Sequence, residues 1–396
     1  YKNKSYPIEV VEKIEQQTFE KEIGVRKKTV DDYKKIFQFS VVDGGVCIKK
    51  YLGKSSTVEI PDMIGKHPVI SIYESAFTNT SQIILPESIK SISSETFRGC
   101  KKLKYNEYDS ALYLGTKSNP YYALIKTKSQ EIENCEIHPD TRLIAEGAFE
   151  MHRKLRTVSI PEGVTNLGIY YNDDKWHIKW TFAHCERLEE IIVSEGNTSY
   201  KSIDGNLYTK DGKTLLCYPA KKSDETFVIP ESVNNIGEGA FLGCASLVDL
   251  ELPGSLVTIG DHAFRGMLSD GAIALPASVL EIGRHSFYGN ASLTIYTEGD
   301  TTCSEYWGFW NSSWRPVIYG CTLSPDKSYV VSVVKQENNV TNAPATGGIS
   351  APERSGYTFL GWATSEGGSV VYTAADIASV ANGTTLYAVW QEQLAQ

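Results

Sequence analysis

A unit of 23 residues recurs along this chain, and a repeat of that length constrains the fold more than any other feature of the sequence. The clearest copies are 228–247, 251–269 and 274–293. Their prolines are 23 residues apart, as are their phenylalanines, and eleven residues separate the two within each copy. The aligned residues are Pro230, Pro253 and Pro276, and Phe241, Phe264 and Phe287. A unit this short cannot bury its own apolar face, so the copies are expected to stack on one another.

Earlier copies carry the same signature with changes in length. The copy at 84–103 keeps the eleven-residue interval, and the copy at 138–155 is one residue shorter. The first copy, 60–77, has five extra residues, including His67 and Pro68. These copies extend the predicted stack of coils towards the N-terminus.

The residues of one unit predict its local structure. A short apolar strand, such as 247–252, ends at a proline, which suits a strand end because it lacks an amide donor. A second apolar stretch and a glycine turn then lead to the phenylalanine. Three residues further on is a small or polar position, the turn slot, which is expected to face the interior. The occupants of the turn slot are Thr80, Cys100, Cys185, Cys244 and Asn290. The unit therefore predicts a mainly β solenoid in which leucine lies on leucine and phenylalanine on phenylalanine.

Two longer segments, 110–128 and 200–222, interrupt the coils. Each alternates apolar and polar residues around a turn dipeptide, Asn119-Pro120 in the first and Asp211-Gly212 in the second. This pattern predicts β-hairpins. We expect the hairpins to continue or flank the sheet of the solenoid.

The units resemble the BspA-like leucine-rich repeats of bacterial surface proteins. Their pattern, L-x-x-[VIL]-x-[IL]-P-x-x-[VI]-x-x-I-G-x-x-[AS]-F-x-x-C-x-x-L, recurs over roughly residues 39 to 320. The resemblance implies a leucine-rich-repeat solenoid. It also implies a surface protein that adheres to matrix proteins or to other cells, although a shared fold does not by itself fix a function.

Beyond Cys321 the repeat stops. The motif G-Y-T-F-x-G-W at 356–362, followed by T-L-Y-A-x-W at 385–390, resembles the Listeria–Bacteroides repeat, also seen as the internalin B-repeat. This resemblance implies a small β-grasp-like α+β module that serves as a spacer or an interaction module. Its expected features are a short helix over 374–380 entered at Thr373, and a core that contains Trp362 and Trp390.

These boundaries predict three parts. They are an N-terminal helical or capping segment at 1–38, the repeat solenoid at 39–322 and the β-grasp-like module at 323–396. Helical spacing in the first part predicts one or two amphipathic helices that cover the first coil. The residues with that spacing are Ile8, Val11, Ile14 and Phe19. Because the sequence starts at Tyr1 rather than Met, we interpret it as a mature or trimmed secreted chain.

Charge and motif content exclude several classes of function. A net charge of −9 and a pI near 5.4 argue against nucleic acid as a partner. No apolar run has the length of a membrane helix, so no membrane insertion is expected. The sequence contains no G-x-S-x-G, H-E-x-x-H, P-loop or Rossmann motif, and its seven histidines lack metal-ligand spacing. We expect no catalytic residue, cofactor or metal site; the pair Asp173-Asp174 is more typical of a solvated loop than of a calcium site.

The eight cysteines form no C-x-x-C motif. Those in the turn slot are expected to be buried and unreactive, because asparagine and threonine also occupy that position. Cys303 and Cys321 flank the end of the solenoid. A disulfide between them is the alternative to the favoured unpaired state.

Two aromatic clusters remain. The first, 303–320, lies where the last coil needs a lid, and its aromatic side chains are expected to cap the core and join it to the second module. These are Tyr306, Trp307, Phe309, Trp310 and Trp314.

The second cluster, 169–180, is an insertion, because Phe182 follows Pro161 by 21 residues rather than eleven. Loops on a rigid scaffold often carry binding groups, and tyrosine and tryptophan suit protein or carbohydrate ligands. The candidate binding residues are Tyr170, Tyr171, Trp176, His177 and Trp180. The favoured interpretation is that Trp176 and Trp180 cover a neighbouring coil; recognition of a ligand is the alternative.

The sequence thus predicts a non-catalytic binding protein, an adhesin, that is secreted or held on the bacterial surface and acts as a monomer. Its partner would be a protein or a glycan. The alternative is a structural spacer within a larger surface protein. A secreted carbohydrate-active enzyme is the least favoured, since it would need two carboxylates roughly 5–9 Å apart in a cleft and no motif indicates one.

Overall fold

The computed structural model describes residues 28–168, 181–247, 249–267, 270–290, 292–299, 310–311, 317–318, 322–323, 329–333, 357–364, 369–372 and 384–392. Within these ranges the chain is nearly all β, with one short helix. Its contacts group it into two compact units, Tyr1–Lys104 with Gly115–Ser118, and Tyr105–Leu114 with Asn119–Gln396. The predicted mainly β solenoid is confirmed by the parallel pairing of successive coils.

The first unit consists of one helix and seven strands among its described residues. They are α1 (Val30–Lys34), β1 (Phe37–Val42), β2 (Gly45–Tyr51), β3 (Thr57–Glu59), β4 (Met63–Ile64), β5 (His67–Ile72), β6 (Gln82–Ile84) and β7 (Ser91–Ile92). One sheet has the order β1-β2-β5-β4, with β7 also paired to β5, and β3 pairs in parallel with β6. The antiparallel pair β4-β5 accommodates the five extra residues of the first copy, and its turn includes Gly65 with φ of 63°.

Helix α1 starts at a capping box. The Thr29 hydroxyl accepts from the Asp32 amide at 3.3 Å, and the Asp32 carboxylate accepts from the Thr29 amide at 3.0 Å. The helix buries none of its residues. The predicted amphipathic helices of Ile8, Val11, Ile14 and Phe19 lie outside the described residues.

In the second unit, two series of short strands alternate along the chain. The strands before the proline position are β11 (Asn134–Glu136), β13 (Thr157–Ile160), β14 (Glu190–Val193), β18 (Thr226–Val228), β20 (Asp249–Glu251), β22 (Asp270–Leu275), β24 (Ser292–Thr297) and β25 (Val317–Ile318). Those after it are β12 (Leu143–Ile144), β19 (Asn235–Ile236), β21 (Thr258–Ile259) and β23 (Glu281–Ile282). Neighbouring coils pair in parallel within each series, for example Val158 with Ile191 and Ile236 with Ile259. The first series is divided into three sheets, β11-β13-β14, β18-β20 and β22-β24-β25.

The pleat explains why these strands are so short and so apolar on one side. In β13, Val158 and Ile160 are buried, whereas Thr157 and Ser159 are partly exposed. Successive side chains point to opposite faces of a strand, so two inward residues per strand suffice for each coil. Pro161 follows β13 directly and ends it.

Two three-stranded meanders interrupt the coils. Their strands are β8 (Asn106–Tyr108), β9 (Ala111–Leu114) and β10 (Ala123–Thr127), and β15 (Tyr200–Ile203), β16 (Asn206–Thr209) and β17 (Thr214–Cys217). The last strand of each pairs in parallel with the next coil, β10 with β12 and β17 with β19. The prediction that the hairpins continue the solenoid sheet is confirmed, with one further strand in each meander.

Aromatic rings stack from coil to coil at the phenylalanine position. Neighbouring ring centroids lie 5.5 Å apart between Phe241 and Phe264 and 5.3 Å apart between Phe264 and Phe287. Tyr218 occupies this position on the second meander and stacks on Phe241 at 5.4 Å. Trp310, 7% exposed, meets Phe287 edge-on at 5.8 Å and so ends the column as the predicted lid. Tyr306, Trp307, Phe309 and Trp314 lie outside the described residues.

Glycine in the turn before the phenylalanine lets successive coils approach closely. A Cβ atom on Gly260 would lie 2.6 Å from the amide nitrogen of Glu238 in the preceding coil. Gly283 faces Asp261 in the same way. Any side chain at these positions would push two coils apart.

The C-terminal strands form an antiparallel sheet of order β26-β27-β29-β28. These are β26 (Thr322–Leu323), β27 (Tyr329–Val333), β28 (Tyr357–Ala363) and β29 (Thr384–Glu392). Trp362 is 1% exposed, as predicted for a core residue. The side chain of Trp390, Thr373 and the predicted helix at 374–380 lie outside the described residues, and the β-grasp assignment stays a prediction.

Candidate binding surfaces

The insertion begins and ends at one turn of the solenoid. The Thr181 hydroxyl donates to the carbonyl oxygen of Leu167 at 2.7 Å, so the two ends meet. The amide of Phe149, in the preceding coil, donates to the carbonyl oxygen of Thr181 at 3.2 Å. Gly168 has φ of 64° and packs against the backbone of Glu146, where no side chain fits. The scaffold therefore fixes both ends of the ten extra residues.

The insertion itself, 169–180, lies outside the described residues. This range contains Tyr170, Tyr171, Trp176, His177 and Trp180, and also the acidic pair Asp173-Asp174. Their role in binding stays a prediction. The structure describes only the two ends of the insertion, at Gly168 and Thr181.

At three positions of the turn slot, the side chain donates a hydrogen bond to the preceding coil. The Cys185 thiol donates to the carbonyl oxygen of Phe149 at 3.1 Å, and the Cys244 thiol to that of Tyr218 at 3.4 Å. The Asn290 amide donates to the carbonyl oxygen of Phe264 at 2.9 Å. The acceptor is each time the backbone of the aromatic residue in the coil before.

Burial makes these thiols poor nucleophiles. It raises the pKa of the Cys185 and Cys244 thiols well above the ordinary value, and that of Cys217 to about 12. The expectation that the slot faces the interior is confirmed for all five occupants. The possible pair Cys303 and Cys321 lies outside the described residues.

The sequence reading did not name His152, which also lies in the turn slot, three residues after Phe149. Its Nε2 lies 2.5 Å from the Thr127 hydroxyl and its Nδ1 lies 2.9 Å from the Glu150 carbonyl oxygen. Burial lowers the pKa of this imidazole, which favours the neutral form. Its position three residues after Phe149 was the signal for this role.

The sequence reading also missed an aromatic cluster on the first meander. Tyr121 stacks flat on His138, with ring centroids 3.8 Å apart, and Tyr108 meets the same imidazole edge-on at 4.7 Å. The Tyr108 hydroxyl donates to Glu136 at 3.1 Å, and the His138 amide donates to the buried Tyr113 hydroxyl at 3.2 Å. The rings mainly pack on one another, so they join the meander to the coil that follows it.

Neither a metal centre nor a membrane span is found in the described parts of the chain. No group of three or more histidine, cysteine, aspartate or glutamate side chains there could hold a metal ion. No helix among the same residues is long and apolar enough to cross a membrane.

Comparison with known families gives two matches. The BspA type leucine-rich repeat region matches residues 70–202 and 217–324, in six copies. The Listeria-Bacteroides repeat domain matches residues 326–389. No curated protein matches the chain.

Solved structures with a similar chain are bacterial leucine-rich repeat proteins. One from Eubacterium ventriosum shares 21% identity over 66% of this chain and 70% of its own, with a TM-score of 0.41. A leucine-rich cell surface protein from Faecalibacterium prausnitzii shares 19% identity over 74% and 94%, with a TM-score of 0.35. The pneumococcal vaccine antigen PcpA shares 20% identity over 67% and 80%, with a TM-score of 0.37. Since the repeat matches cover more than half of its residues, the chain belongs to the BspA-type leucine-rich repeat family.

Proposed function

We propose that this chain is a non-catalytic adhesin, a monomer that is secreted or held on the bacterial surface and binds a protein or a glycan. Membership of the BspA-type family supports a binding role. The cell surface protein of Faecalibacterium prausnitzii, which is similar to this chain, supports the location.

The anchored insertion is the observation that carries the proposal. The hydrogen bond from Thr181 to Leu167 closes a loop of aromatic composition on a rigid turn. Such a loop can present tyrosine and tryptophan to a ligand without a large loss of conformational entropy. The same residues, packed down on a coil, would favour a spacer instead.

The non-catalytic part of the proposal rests on the chemistry of the buried polar groups. The Cys185 and Cys244 thiols have raised pKa values, and the His152 imidazole has a lowered pKa and is bonded within the turn slot. A nucleophilic cysteine needs the opposite shift.

The domain organisation belongs to the same proposal. Residues 1–38 cover the first coil, 39–322 form the solenoid that binds, and 323–396 form a β-grasp-like module that holds the solenoid away from its attachment point. The Listeria-Bacteroides repeat match at 326–389 supports the last boundary.

The test compares the wild-type chain with the double variant Trp176→Ala/Trp180→Ala on an array of extracellular-matrix proteins, mucins and glycans. Melting temperatures of both are measured alongside. Lost binding with an unchanged melting temperature supports the recognition loop. A lower melting temperature with unchanged binding shows that the tryptophans cover a coil. A wild-type chain that binds nothing on the array favours the spacer.

A further inference from the structure

Two consecutive coils place four polar and aromatic side chains together along one turn edge. His262 and Arg265 flank Phe264, and His285 and Tyr288 flank Phe287 in the same two positions. The two imidazole rings are 5.1 Å apart. The Arg265 guanidinium lies 5.1 Å from the centre of the Tyr288 ring, and its Nη1 lies 3.4 Å from His262 Nδ1. These four residues are named the arginine edge.

The backbone at both histidines is left-handed, with φ of 55° at His262 and at His285. The coil before has Gly239 at this position, with φ of 59°. Glycine adopts such a conformation without strain, whereas other residues do so at a cost. The left-handed backbone of this turn therefore does not itself require an imidazole.

The guanidinium of Arg265 is held in place without a carboxylate. Among the described residues, no aspartate or glutamate forms an ion pair with it, whereas Arg156 makes a two-bond pair with Glu189 at 3.0 and 3.1 Å. Burial and the nearby Arg265 lower the pKa of His262 to about 4, so His262 is neutral and can accept from the guanidinium. Stacking on Tyr288 and this contact orient the remaining N–H donors of a planar fork.

The neighbouring carboxylate is already engaged. Asp261 accepts from the Arg284 amide at 2.7 Å through Oδ1. The arginine edge therefore combines a cation that lacks a carboxylate partner among the described residues with the ring of Tyr288, which is 46% exposed. It does so on a chain whose net charge is −9. Charge complementarity selects an anionic group for this position.

In the first of the two coils, the main chain does not offer a strand for a peptide to pair with. The amides of His262, Phe264 and Gly266 all donate to carbonyl oxygens of the next coil, at 2.9 to 3.0 Å. Recognition there depends on side chains spread over only two coils. An anionic sugar fits this small site, since its acidic group suits the guanidinium and its apolar ring face suits Tyr288.

We propose that the arginine edge binds a carboxylated or sulfated sugar. Arg265 forms paired hydrogen bonds with the acidic group, Tyr288 packs against the sugar ring, and the His285 imidazole contacts its hydroxyl groups. This inference rests on the proposed binding function and names a ligand class and a second site for it.

The test measures binding of the whole chain to sialyllactose, to chondroitin sulfate and to neutral lactose by surface plasmon resonance. We expect the chain to bind one or both acidic probes with higher affinity than lactose. This affinity should fall when salt is added. A response to sialyllactose identifies the carboxylate as the ligand group, and a response to chondroitin sulfate alone identifies the sulfate.

Two edge variants and one control locate the site. Arg265→Gln should lower the affinity for the acidic probe about 10-fold or more, because a charge-assisted bidentate contact is lost. Arg265→Lys keeps the charge but loses the planar fork of donors, so its affinity should lie between those of the wild type and Arg265→Gln. Arg156→Gln removes an exposed arginine that already has a partner and should leave binding unchanged. Melting temperatures of all variants establish that the coils remain folded.

Equal binding by wild type and Arg265→Gln would overturn the inference, as would a failure of both acidic probes. Binding of polyglutamate with no binding of either sugar would overturn it in favour of an acidic peptide. The Trp176→Ala/Trp180→Ala variant separates the two proposals, since it should retain the acidic sugar. If the array shows a ligand that needs the insertion while no acidic sugar binds, only the present inference fails.

Discussion

The Cys185 thiol donates a hydrogen bond to the carbonyl oxygen of Phe149, with 3.1 Å between sulfur and oxygen. This bond joins two coils that are separated in sequence by the aromatic insertion. The side chain in the turn slot therefore does two things: it fits beneath the turn, and it links two coils through a hydrogen bond. The slot is therefore a position where loss of one atom is expected to weaken two coils together.

We expect Cys185→Ala to lower the free energy of unfolding by about 1–2 kcal/mol, since it removes a buried donor and leaves a small void. Cys135→Ala is the matched control, because Cys135 is equally buried but the contact of its sulfur with the Glu136 carbonyl oxygen, at 4.0 Å, is much longer than that of Cys185. The difference between the two variants, measured by urea denaturation, should be about 1 kcal/mol. Equal losses would mean that the thiol of Cys185 contributes by volume alone.

Gly260→Ala should be strongly destabilising for its size. The added methyl group would meet the Glu238 amide nitrogen at 2.6 Å, so two coils must separate, at a cost of about 1–3 kcal/mol. Gly254→Ala is the control, because no heavy atom lies within 4 Å of a Cβ there. Thermal unfolding of both variants checks this expectation, and a melting temperature of Gly260→Ala as high as that of the control would contradict it.

Phe264→Ala should lower the free energy of unfolding by about 3–5 kcal/mol, because the ring is fully buried between Phe241 and Phe287. The exposed Tyr288, one residue after Phe287, provides a comparison: Tyr288→Ala should change stability by less than about 1 kcal/mol. Urea midpoints measure both. A double-mutant cycle between Phe241 and Phe264 should show a coupling of about 0.5–1.5 kcal/mol.

Acidification should weaken the coils around His262. Burial and Arg265 lower the folded-state pKa of His262 to about 4, below the ordinary value of about 6.5 for the unfolded chain. The unfolded state therefore takes up the proton first, and stability is lost as the pH falls from about 7 to about 4. The expected loss from this residue between about pH 7 and about pH 5 is roughly 1–2 kcal/mol.

The variant His262→Asn isolates that contribution. Asparagine tolerates the left-handed backbone and can accept from Arg265, but it does not titrate. Unfolding free energies of the wild type and the variant, each measured at both pH values, should show a smaller pH dependence in the variant. Identical dependence in the two proteins would contradict this expectation, because it would show that the pKa of His262 does not differ between the folded and unfolded states.

Much of the solenoid follows from the sequence because its repeat is dictated by stacking. Pro253 and Phe264 are a fixed distance apart since every coil must return to the same place above its neighbour. The turn slot could be read in the same way, and its occupants are buried as expected. The turn dipeptides predicted hairpins within the meanders, and β17 pairs in parallel with β19 as expected.

Departures arise where tertiary contacts override the repeat. Tyr218 takes the place of a phenylalanine in the aromatic column, although no coil of standard length precedes it. The third strand β8 was missed because none of its residues is buried, and β15 because Tyr200 is the only buried residue among its four. The arginine edge lies at equivalent positions of two consecutive repeats, but its contacts depend on side-chain orientations that the repeat does not specify.

The stacking of coils also determines how this protein bears tension. Ladder hydrogen bonds such as those that join Ile236 to Ile259 and Ile259 to Ile282 run along the direction in which the coils stack. A pull on both ends of the stack places the same tension on these bonds in every coil, and the coils then open one at a time. Each 23-residue coil that opens releases up to about 75 Å of chain. In the proposed adhesive role, the solenoid would thus act as a tether that lengthens in steps under force before the bound partner is released.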